Sequence, residues 1–197
     1  SLNKEEKKNV SLTLVGDGPA RKQLEKLAED LKVKEAVTFI HWIQRAELSK
    51  LYRQSDVFLF PSHEGAGMVV AEAMSYGLPV ICFDNCGPGE FVNIASGLKV
   101  EYSTYDQSVK DFAEHLNTLH SDPFLLESFS TYAQLSFQDK YQWNVKGEGL
   151  KKVYAGLPVK GKIICVHLLN DFSGSPLVLS NEIRGFVQKG RQVQLYT

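Results

Sequence analysis

The sequence predicts an α/β fold, a doubly wound, Rossmann-like parallel sheet, and three observations support this prediction. Short runs of apolar, β-branched residues alternate along the chain with longer segments of helical periodicity. The apolar runs are continuous instead of alternating in polarity, which is typical of parallel strands covered on both faces. Glycine-containing turns follow several of these runs directly, as they do where such sheets bind ligands beyond the carboxyl ends of their strands.

The first elements are two strand–helix pairs. The run "SLTLVG" predicts a strand that is broken at "DGPA", and "RKQLEKLAEDLKV" predicts a helix. That helix carries an apolar stripe of Leu24, Leu27 and Leu31 on an otherwise charged surface. "AVTFI" then predicts a second strand, and "RAELSKLYRQS" predicts a second, shorter helix.

The next elements continue the alternation. "DVFLFPS" predicts a strand, and "GMVVAEAMSYG" predicts a helix that begins near Gly67 and is closed by Gly77. Strands "PVICFD" and "GLKVE" follow, and then a helix, "SVKDFAEHLNTLHSD". Its periodicity turns Phe112, Leu116 and Leu119 toward the core.

Composition excludes several classes of function. The chain has 197 residues, 43% of them hydrophobic and 23% charged, as in an ordinary globular protein. A formal net charge of −1 gives no basic field for nucleic acid or an anionic membrane. No apolar run approaches the roughly 20 residues of a membrane-spanning helix. Cys82 and Cys86 have no second pair, so we expect reduced cytoplasmic thiols instead of zinc ligands or disulfides.

One glycine motif is a partial match to a dinucleotide fingerprint. "GDGPAR" supplies Gly16 and Gly18, but Arg21 stands where a third glycine is needed. A tight turn into a helix explains the motif equally well. An NAD-binding site is therefore disfavoured.

The stretch "PSHEGAGMVVAEAMSYGLPV" combines an anion site with two carboxylates. A helix that begins near Gly67 leaves its first amides unpaired, and Gly65 and Gly67 let a ligand approach the backbone. Glu64 precedes this helix and Glu72 lies about two turns along it. Ionised carboxylates only accept hydrogen bonds, so they suit hydroxyl groups rather than bare phosphate. A nucleotide sugar, with sugars on both sides of a diphosphate, meets both demands.

The segment "PSHEGAGMVVAEAMSYGLPVICFDNCGPGEF" resembles the donor-binding segment of retaining glycosyltransferases of family 4, the group 1 transferases of the GT-B class. Glu64 and Glu72, with seven residues between them, meet the spacing of that family's signature. "LTLVGDGP", "LYRQSDVFLFPS" and "YQWNVKGEGLKKVY" extend the resemblance, which covers about residues 10–154. It implies one half of a GT-B fold and a nucleotide-sugar donor linked to UDP or GDP.

The resemblance also implies roles for individual residues. Glu64, the candidate catalytic residue, would contact the transferred sugar, and Glu72 would hold the ribose. The other donor-binding residues it implies are Gly16, His41, Ile43, Gly65, Ala66, Gly67, Met68, Val69, Gly87 and Glu90. Ala66 is a departure, since the family usually has an aromatic residue between these two glycines. The class uses basic side chains and helix dipoles at the diphosphate, so no metal and no cofactor is expected.

The remaining departures concern domain organisation. We expect residues 1–157 to form a donor-binding domain that lacks its first strand and helix, with their arginine and lysine. Residues 158–197 resemble the opening βαβ unit of the acceptor-side domain. In the doubly wound order the lacking strand is central. We expect "KIICVHLL" to fill its place, either within the chain or by strand exchange in a homodimer.

Several side chains near these motifs have plain interpretations. His63 is tempting as an acid or base beside Glu64, but a bystander loop histidine is the better interpretation. Trp143 and Tyr154 are expected to be packing anchors of the last helix. "NDFSGSP", with Gly174, is either an anion-binding turn or only a strand-to-helix connector.

The resemblance implies a hexosyltransferase whose intact form moves a sugar, with retention, to a saccharide or lipid-linked acceptor. Polysaccharide or glycolipid assembly is the expected setting, in the cytoplasm or at the inner face of a membrane. No convincing base or nucleophile is present, so this chain alone is expected to be inactive. The alternatives are a nucleotide-sugar binding module without transfer activity and a nucleotide-sugar epimerase of the same class.

Overall fold

The computed structural model describes residues 10–155, 163–166, 184–185, 188, 190 and 193–196. The chain divides into two compact units, Ser1–Lys146 and Gly147–Thr197. The division falls inside the helix that spans Trp143–Ala155. Each unit contains parallel strands.

Strands and helices alternate in the first unit, as the sequence predicts. Its strands are β1 (Leu12–Val15), β2 (Val37–Ile40), β3 (Phe58–Phe60), β4 (Val80–Phe83) and β5 (Gly97–Val100). Its helices are α1 (Arg21–Asp30), α2 (Arg45–Gln54), α3 (Met68–Ser75), α4 (Pro88–Phe91), α5 (Tyr105–Ser121) and α6 (Pro123–Lys140), with a 3-10 turn at Lys34–Ala36. The helix α7 (Trp143–Ala155) crosses into the second unit.

The strands of the first unit pair in parallel. β1 pairs with β2, from Leu12 opposite Val37 to Val15 opposite Ile40. β4 lies between β3 and β5 and pairs with both. Within the described residues, β1 pairs only with β2 and β3 pairs only with β4. The carboxyl ends of β3, β4 and β5 meet at one edge, because parallel strands all run in the same direction.

The strand β4 lies at the centre of the core and is covered on both faces. Its side chains alternate between the two faces, as in any strand. Val80 and Cys82 belong to a cluster whose other buried members are Val70, Met74, Val92 and Ala133. Ile81 belongs to a second cluster, with Val100, Phe112, Leu119 and Phe129. Leu116 packs against that second cluster, so the predicted inward face of α5 is confirmed.

The β1–β2 pair and α1 are less well covered. Ala28 is the buried residue of α1, whereas Leu24, Leu27 and Leu31 are 44%, 46% and 62% exposed. The helix has the predicted apolar stripe. In the described part of the chain, this stripe is largely open to solvent.

The boundaries of α3 agree closely with the sequence. Gly67 is its N-cap residue and adopts the left-handed conformation, with φ of 63°. The helix ends at Ser75, and Gly77, with φ of 77°, donates its N–H to the Met74 carbonyl oxygen at 2.9 Å. The sequence-based prediction of a glycine at each end of this helix is confirmed.

Two helices were missed and one residue was misjudged. The sequence patterns described above do not include α6, although the Asp122 carboxylate accepts a hydrogen bond from the Leu125 N–H at 3.0 Å and Pro123 occupies the first turn. The short helix α4 begins within the predicted turn "CGPGE", at Pro88. Trp143 is 81% exposed, so the expectation that it anchors the packing of α7 is wrong. The side chain of Tyr154 lies outside the described residues.

The second unit contains one parallel strand pair, β6 (Ile163–Val166) with β7 (Val193–Tyr196). β6 is the middle of the predicted "KIICVHLL" strand. The rest of that segment, 162 and 167–169, lies outside the described residues, as does "NDFSGSP" with Gly174. That "KIICVHLL" fills the place of the lacking central strand stays a prediction.

Membrane insertion by a helix finds no support in the described segments. None of their helices combines the length and the apolar character needed to cross a bilayer.

Candidate functional site

The loop after β3, residues 61–67, is held together by the Glu64 side chain. Glu64 Oε1 accepts a hydrogen bond from the Gly67 N–H at 2.9 Å. The Ser62 hydroxyl donates to Glu64 Oε2 at 3.3 Å. Because Gly67 is the N-cap of α3, the carboxylate lies beside the positive end of that helix.

Two glycine loops, 61–67 after β3 and 84–88 after β4, meet backbone to backbone. A Cβ on Gly87 would lie 2.7 Å from the carbonyl carbon of Gly65 and 2.8 Å from the carbonyl oxygen of Glu64. A Cβ on Gly67 would lie 2.7 Å from the Pro88 nitrogen. Gly67 and Gly87 also have φ of 63° and 82°, which other residues rarely adopt. The contact between the loops therefore requires glycine at both positions.

Glu72 lies on the second turn of α3 and faces α2. Its side chain is 29% exposed, and its Oε1 is 3.4 Å from Nη2 of Arg45, the first residue of α2. The carboxylate also lies near Tyr52. Burial is the main cause that raises the pKa of Tyr52 to about 12, and the charge of Glu72 is the next.

A third group of residues lies at the carboxyl ends of β1 and β2. The Gly16 N–H donates to the Ile40 carbonyl oxygen at 2.9 Å. His41 Nδ1 is 3.2 Å from Asp17 Oδ2, and the Gly18 N–H donates to Asp17 Oδ1 at 2.9 Å. The His41 hydrogen bond, followed by that of Gly18, lowers the pKa of Asp17. Gly16 and His41, two of the sequence candidates, are therefore brought together.

The other candidates are arranged around these groups. Ala66 and Met68 are exposed, whereas Val69 packs against the cluster of Tyr52, Ala73 and Leu78. Ile43 is half-buried. Glu90 lies in α4 with an exposed side chain, and its carbonyl oxygen accepts a hydrogen bond from the Tyr141 hydroxyl at 3.3 Å. Among the described contacts, none joins Glu64, Glu72 and Glu90 to one another.

Sequence reasoning missed three polar residues that lie beside the candidates: Asp17 near His41, Arg45 near Glu72 and Asn85 near the loop of Glu64. Asn85 donates from Nδ2 to the Ser62 carbonyl oxygen at 3.4 Å, and its Oδ1 is buried with no partner among the described residues. A signal was available for Asp17, which stands between two glycines at a strand end. Arg45 and Asn85 gain their places only through tertiary contacts, so no local pattern marks them.

His63 packs on an aromatic pair at the same edge. Its ring centroid is 5.1 Å from that of Tyr102, which in turn is 5.5 Å from Phe83. His63 has no described hydrogen bond to Glu64. This packing agrees with the interpretation of His63 as a loop histidine.

A surface depression of about 340 Å³ lies at the opposite edge of the sheet. Arg53, Asp56 and Glu127 are among its lining residues, where α2 and α3 end and α6 begins. Several of its lining residues come just before the amino-terminal ends of β3 and β4. It is therefore separate from the loops that carry Glu64 and Gly87.

The loops after β3 and β4 are suited to hydrogen bonding. They offer carboxylate acceptors and, at the start of α3, backbone donors. Within the described residues, no group of three or more His, Cys, Asp or Glu side chains is arranged to hold a metal ion. No described hydrogen bond pairs a serine or cysteine nucleophile with a histidine. The geometry suits the binding of a hydroxyl-rich anion.

Comparisons with known proteins agree with this picture. The family model described as "Glycosyl transferases group 1" matches residues 1–136. A D-inositol 3-phosphate glycosyltransferase of Corynebacterium jeikeium is 34% identical over 146 residues, which are 73% of this chain and 34% of that protein. A GDP-mannose-dependent mannosyltransferase of Corynebacterium glutamicum, which acts on a monoacylated phosphatidylinositol monomannoside, is 28% identical over 158 residues, 76% of this chain and 40% of that protein.

A solved structure shares the fold. The pneumococcal O-GlcNAc transferase GtfA, in complex with UDP and GlcNAc, superposes with a TM-score of 0.67 at 22% identity, over 77% of this chain and 30% of that one. The chain spans well under half the length of each of these proteins. The Rossmann-like half of a GT-B fold is confirmed. Since the family model covers more than half of its residues, the chain belongs to the group 1 glycosyl transferases.

Proposed function

We propose that this chain is the donor-binding domain of a retaining, family 4 hexosyltransferase. Its ligand is a nucleotide sugar, linked to UDP or GDP, bound at the carboxyl edge of the sheet. One observation carries the proposal. The glycine loops after β3 and β4 pack directly together, and Glu64 lies at the start of α3 beside that contact.

The start of α3 supports binding of the diphosphate. The amides of Gly65–Val69 lie at the positive end of the α3 dipole. The Gly67 N–H already donates to Glu64 Oε1, whereas no described hydrogen bond engages the amides of Met68 and Val69. Gly87 and Glu90 follow β4 on the neighbouring loop and helix. Backbone groups in loops without bulky side chains allow close approach of phosphate oxygens. In this proposal, helix and loop donors do the work of a metal ion, and no cofactor takes part.

The two glutamates support binding of the sugars. An ionised carboxylate has about four acceptor positions, so Glu64 keeps free capacity while it accepts from Gly67 and Ser62. Glu64 then contacts the hydroxyls of the transferred sugar. Glu72 lies farther along α3 and holds the ribose. The base lies against His41–Ile43, at the end of β2 near Gly16.

Relatives support both donor classes. One relative is GDP-mannose-dependent by name, and one structure of the same fold holds UDP. Binding experiments with both nucleotides will therefore identify the base of the donor. We further propose that the intact enzyme passes the sugar to a saccharide or lipid-linked acceptor, held by a domain beyond this chain. This chain alone binds the donor but does not transfer it.

Calorimetric titration with UDP and with GDP tests the proposal. We expect one nucleotide to bind, and Glu72→Ala to weaken that binding by about tenfold to a hundredfold, because hydrogen bonds to a charged acceptor are lost. Glu47→Ala is the matched control, since Glu47 is an exposed helix carboxylate whose ion-pair partner among the described residues is Lys50. We expect its affinity to equal that of the unaltered chain.

Two outcomes contradict the proposal. If neither nucleotide binds at millimolar concentration, the edge is not a donor site in this chain. If Glu72→Ala and Glu47→Ala bind the nucleotide equally well, the ribose does not lie at Glu72.

A further inference from the structure

Arg45 occupies a position between two parts of the proposed donor site. It is the first residue of α2 and follows Ile43 by two residues, so it adjoins the segment assigned to the base. Its guanidinium reaches across to α3, where Nη2 lies 3.4 Å from Glu72 Oε1. Arg45 therefore connects the segment assigned to the nucleotide base with Glu72, the carboxylate assigned to the ribose.

Arg45 is the charged neighbour of Glu72, and the other residues around Glu72 are packed or engaged elsewhere. Tyr52 and Val69 lie in the packed cluster between α2 and α3. Tyr76 donates its hydroxyl hydrogen to Ser49 Oγ at 2.8 Å and so is engaged elsewhere. Within the described residues, Arg45 is the cation that comes within 4.0 Å of Glu72. Oε2 of Glu72 accepts no described hydrogen bond.

We propose that Arg45 is a positioning residue for ribose recognition. It holds one oxygen of the Glu72 carboxylate and so presents the group to the vicinal hydroxyls of the nucleotide ribose. This inference rests on the proposed function, because it requires a nucleotide at this edge. The planar guanidinium has a fixed set of donors, whereas a lysine ammonium acts as a point charge.

A plain surface ion pair is the competing interpretation. The Arg45 side chain is 86% exposed, and exposed pairs contribute little to folding stability. The two interpretations differ in what they predict for ligand binding. A plain ion pair leaves nucleotide affinity unchanged when Arg45 is replaced. A positioning residue changes affinity only through Glu72, so its effect disappears when Glu72 is absent.

A double-mutant cycle on nucleotide affinity tests the inference. We expect Arg45→Ala to weaken binding of the UDP or GDP ligand by about threefold to tenfold. In Arg45→Ala/Glu72→Ala we expect the affinity of Glu72→Ala alone, within about twofold. The 2′,3′-dideoxy form of the nucleotide should bind Arg45→Ala and the unaltered chain equally. Arg45→Lys should recover only part of the loss, because lysine keeps the charge but not the planar guanidinium.

Arg53→Ala is the matched control. Arg53 is an arginine of the same helix, stacked on Tyr76 at 4.9 Å from the ring centroid, and it has no described contact with Glu72. We expect unchanged affinity for this variant. If both arginine variants have the same midpoint of thermal unfolding as the unaltered chain, a loss of folding is excluded as the cause of weaker nucleotide binding.

Distinct outcomes overturn the inference. Unchanged nucleotide affinity in Arg45→Ala means that the ion pair of Arg45 with Glu72 does not contribute to nucleotide binding. Losses that add in the double variant mean that Arg45 acts independently of Glu72. If the unaltered chain binds neither nucleotide, the proposed function itself fails, and the inference falls with it. Binding with an additive loss overturns only the inference.

Discussion

The sheet β3–β4–β5 is buried on both faces, whereas the pair β1–β2 is only partly covered. In β4, Val80, Ile81 and Cys82 are fully buried. In β1, Leu12 and Val15 are 38% and 43% exposed. Both strands are runs of four mostly apolar residues. An apolar run therefore predicts a strand, but it does not predict how completely the fold will cover that strand.

The helices show the same difference. α3 packs into the cluster on one face of β3–β5 and α5 into the cluster on the other, and α6 contributes side chains to both clusters. α1, by contrast, buries only Ala28 to the same extent. Burial of apolar area is the dominant favourable term in folding, at about 25 cal/mol per Å². The stability of the first unit should therefore reside mainly in the β3–β5 part.

The largest test of this comparison is truncation of a buried and an exposed aliphatic residue. Ile81→Ala should lower the free energy of unfolding by about 3 kcal/mol, because it leaves a cavity in a closed cluster. Leu27→Ala, on α1, should lower it by less than about 1 kcal/mol, since Leu27 is already 46% exposed. Urea denaturation of each variant measures both values.

A large effect of Leu27→Ala would break the comparison. It would mean that the apolar stripe of α1 is covered in solution. Equal, small effects at both positions would mean that the first unit does not unfold as one cooperative structure. In that case the β1–β2 part would have to be followed separately.

The same contrast explains how much of the fold the sequence predicts. Glycines at both ends of α3 and the periodicity of α5 are local signals, and both helices form as predicted. The start of α6 carried the local signal of Asp122 and Pro123, but its weak amphipathic pattern concealed the helix. The exposure of Trp143 depends on neighbours distant in the chain, which no local pattern specifies.

The candidate site divides in the same way. Gly65 and Gly67 mark the loop before α3 from spacing alone, and Glu64 lies at the predicted helix start. The contact of Gly87 with Gly65 and the pairing of Arg45 with Glu72 join residues more than 20 positions apart. Such contacts follow from how strands and helices pack. Sequence reasoning could name the first group but not the second.

Adding one methyl group to a glycine in each part gives a second test. A Cβ on Gly97 in β5 would lie 2.1 Å from the Val80 carbonyl oxygen, so Gly97→Ala must push β4 and β5 apart. We expect a loss of about 1–3 kcal/mol in the free energy of unfolding. A Cβ on Gly18, after β1, has no atom within 4 Å, so Gly18→Ala should be close to neutral. Thermal unfolding compares the two. A neutral Gly97→Ala would show that β4 and β5 separate at little cost.

A third test is kinetic and compares two variants that differ by a single thiol. Cys86→Ser/Cys165→Ser leaves the buried Cys82 as the reporter of β4. Adding Val15→Cys places a second thiol on β1, where the native side chain is 43% exposed. Both thiols are then followed by labelling at pH 8 under native conditions.

Labelling should be fast at position 15 and very slow at Cys82. Burial raises the pKa of the Cys82 thiol from 9.0 to about 11. Since the thiolate is the reactive form, this shift alone lowers the reactive fraction at pH 8 by about a hundredfold. Exclusion of the reagent from the closed cluster slows labelling further, until the sheet opens. If both thiols react at one rate, the β3–β5 sheet opens as readily as the β1–β2 pair, and the difference in burial carries no difference in local stability.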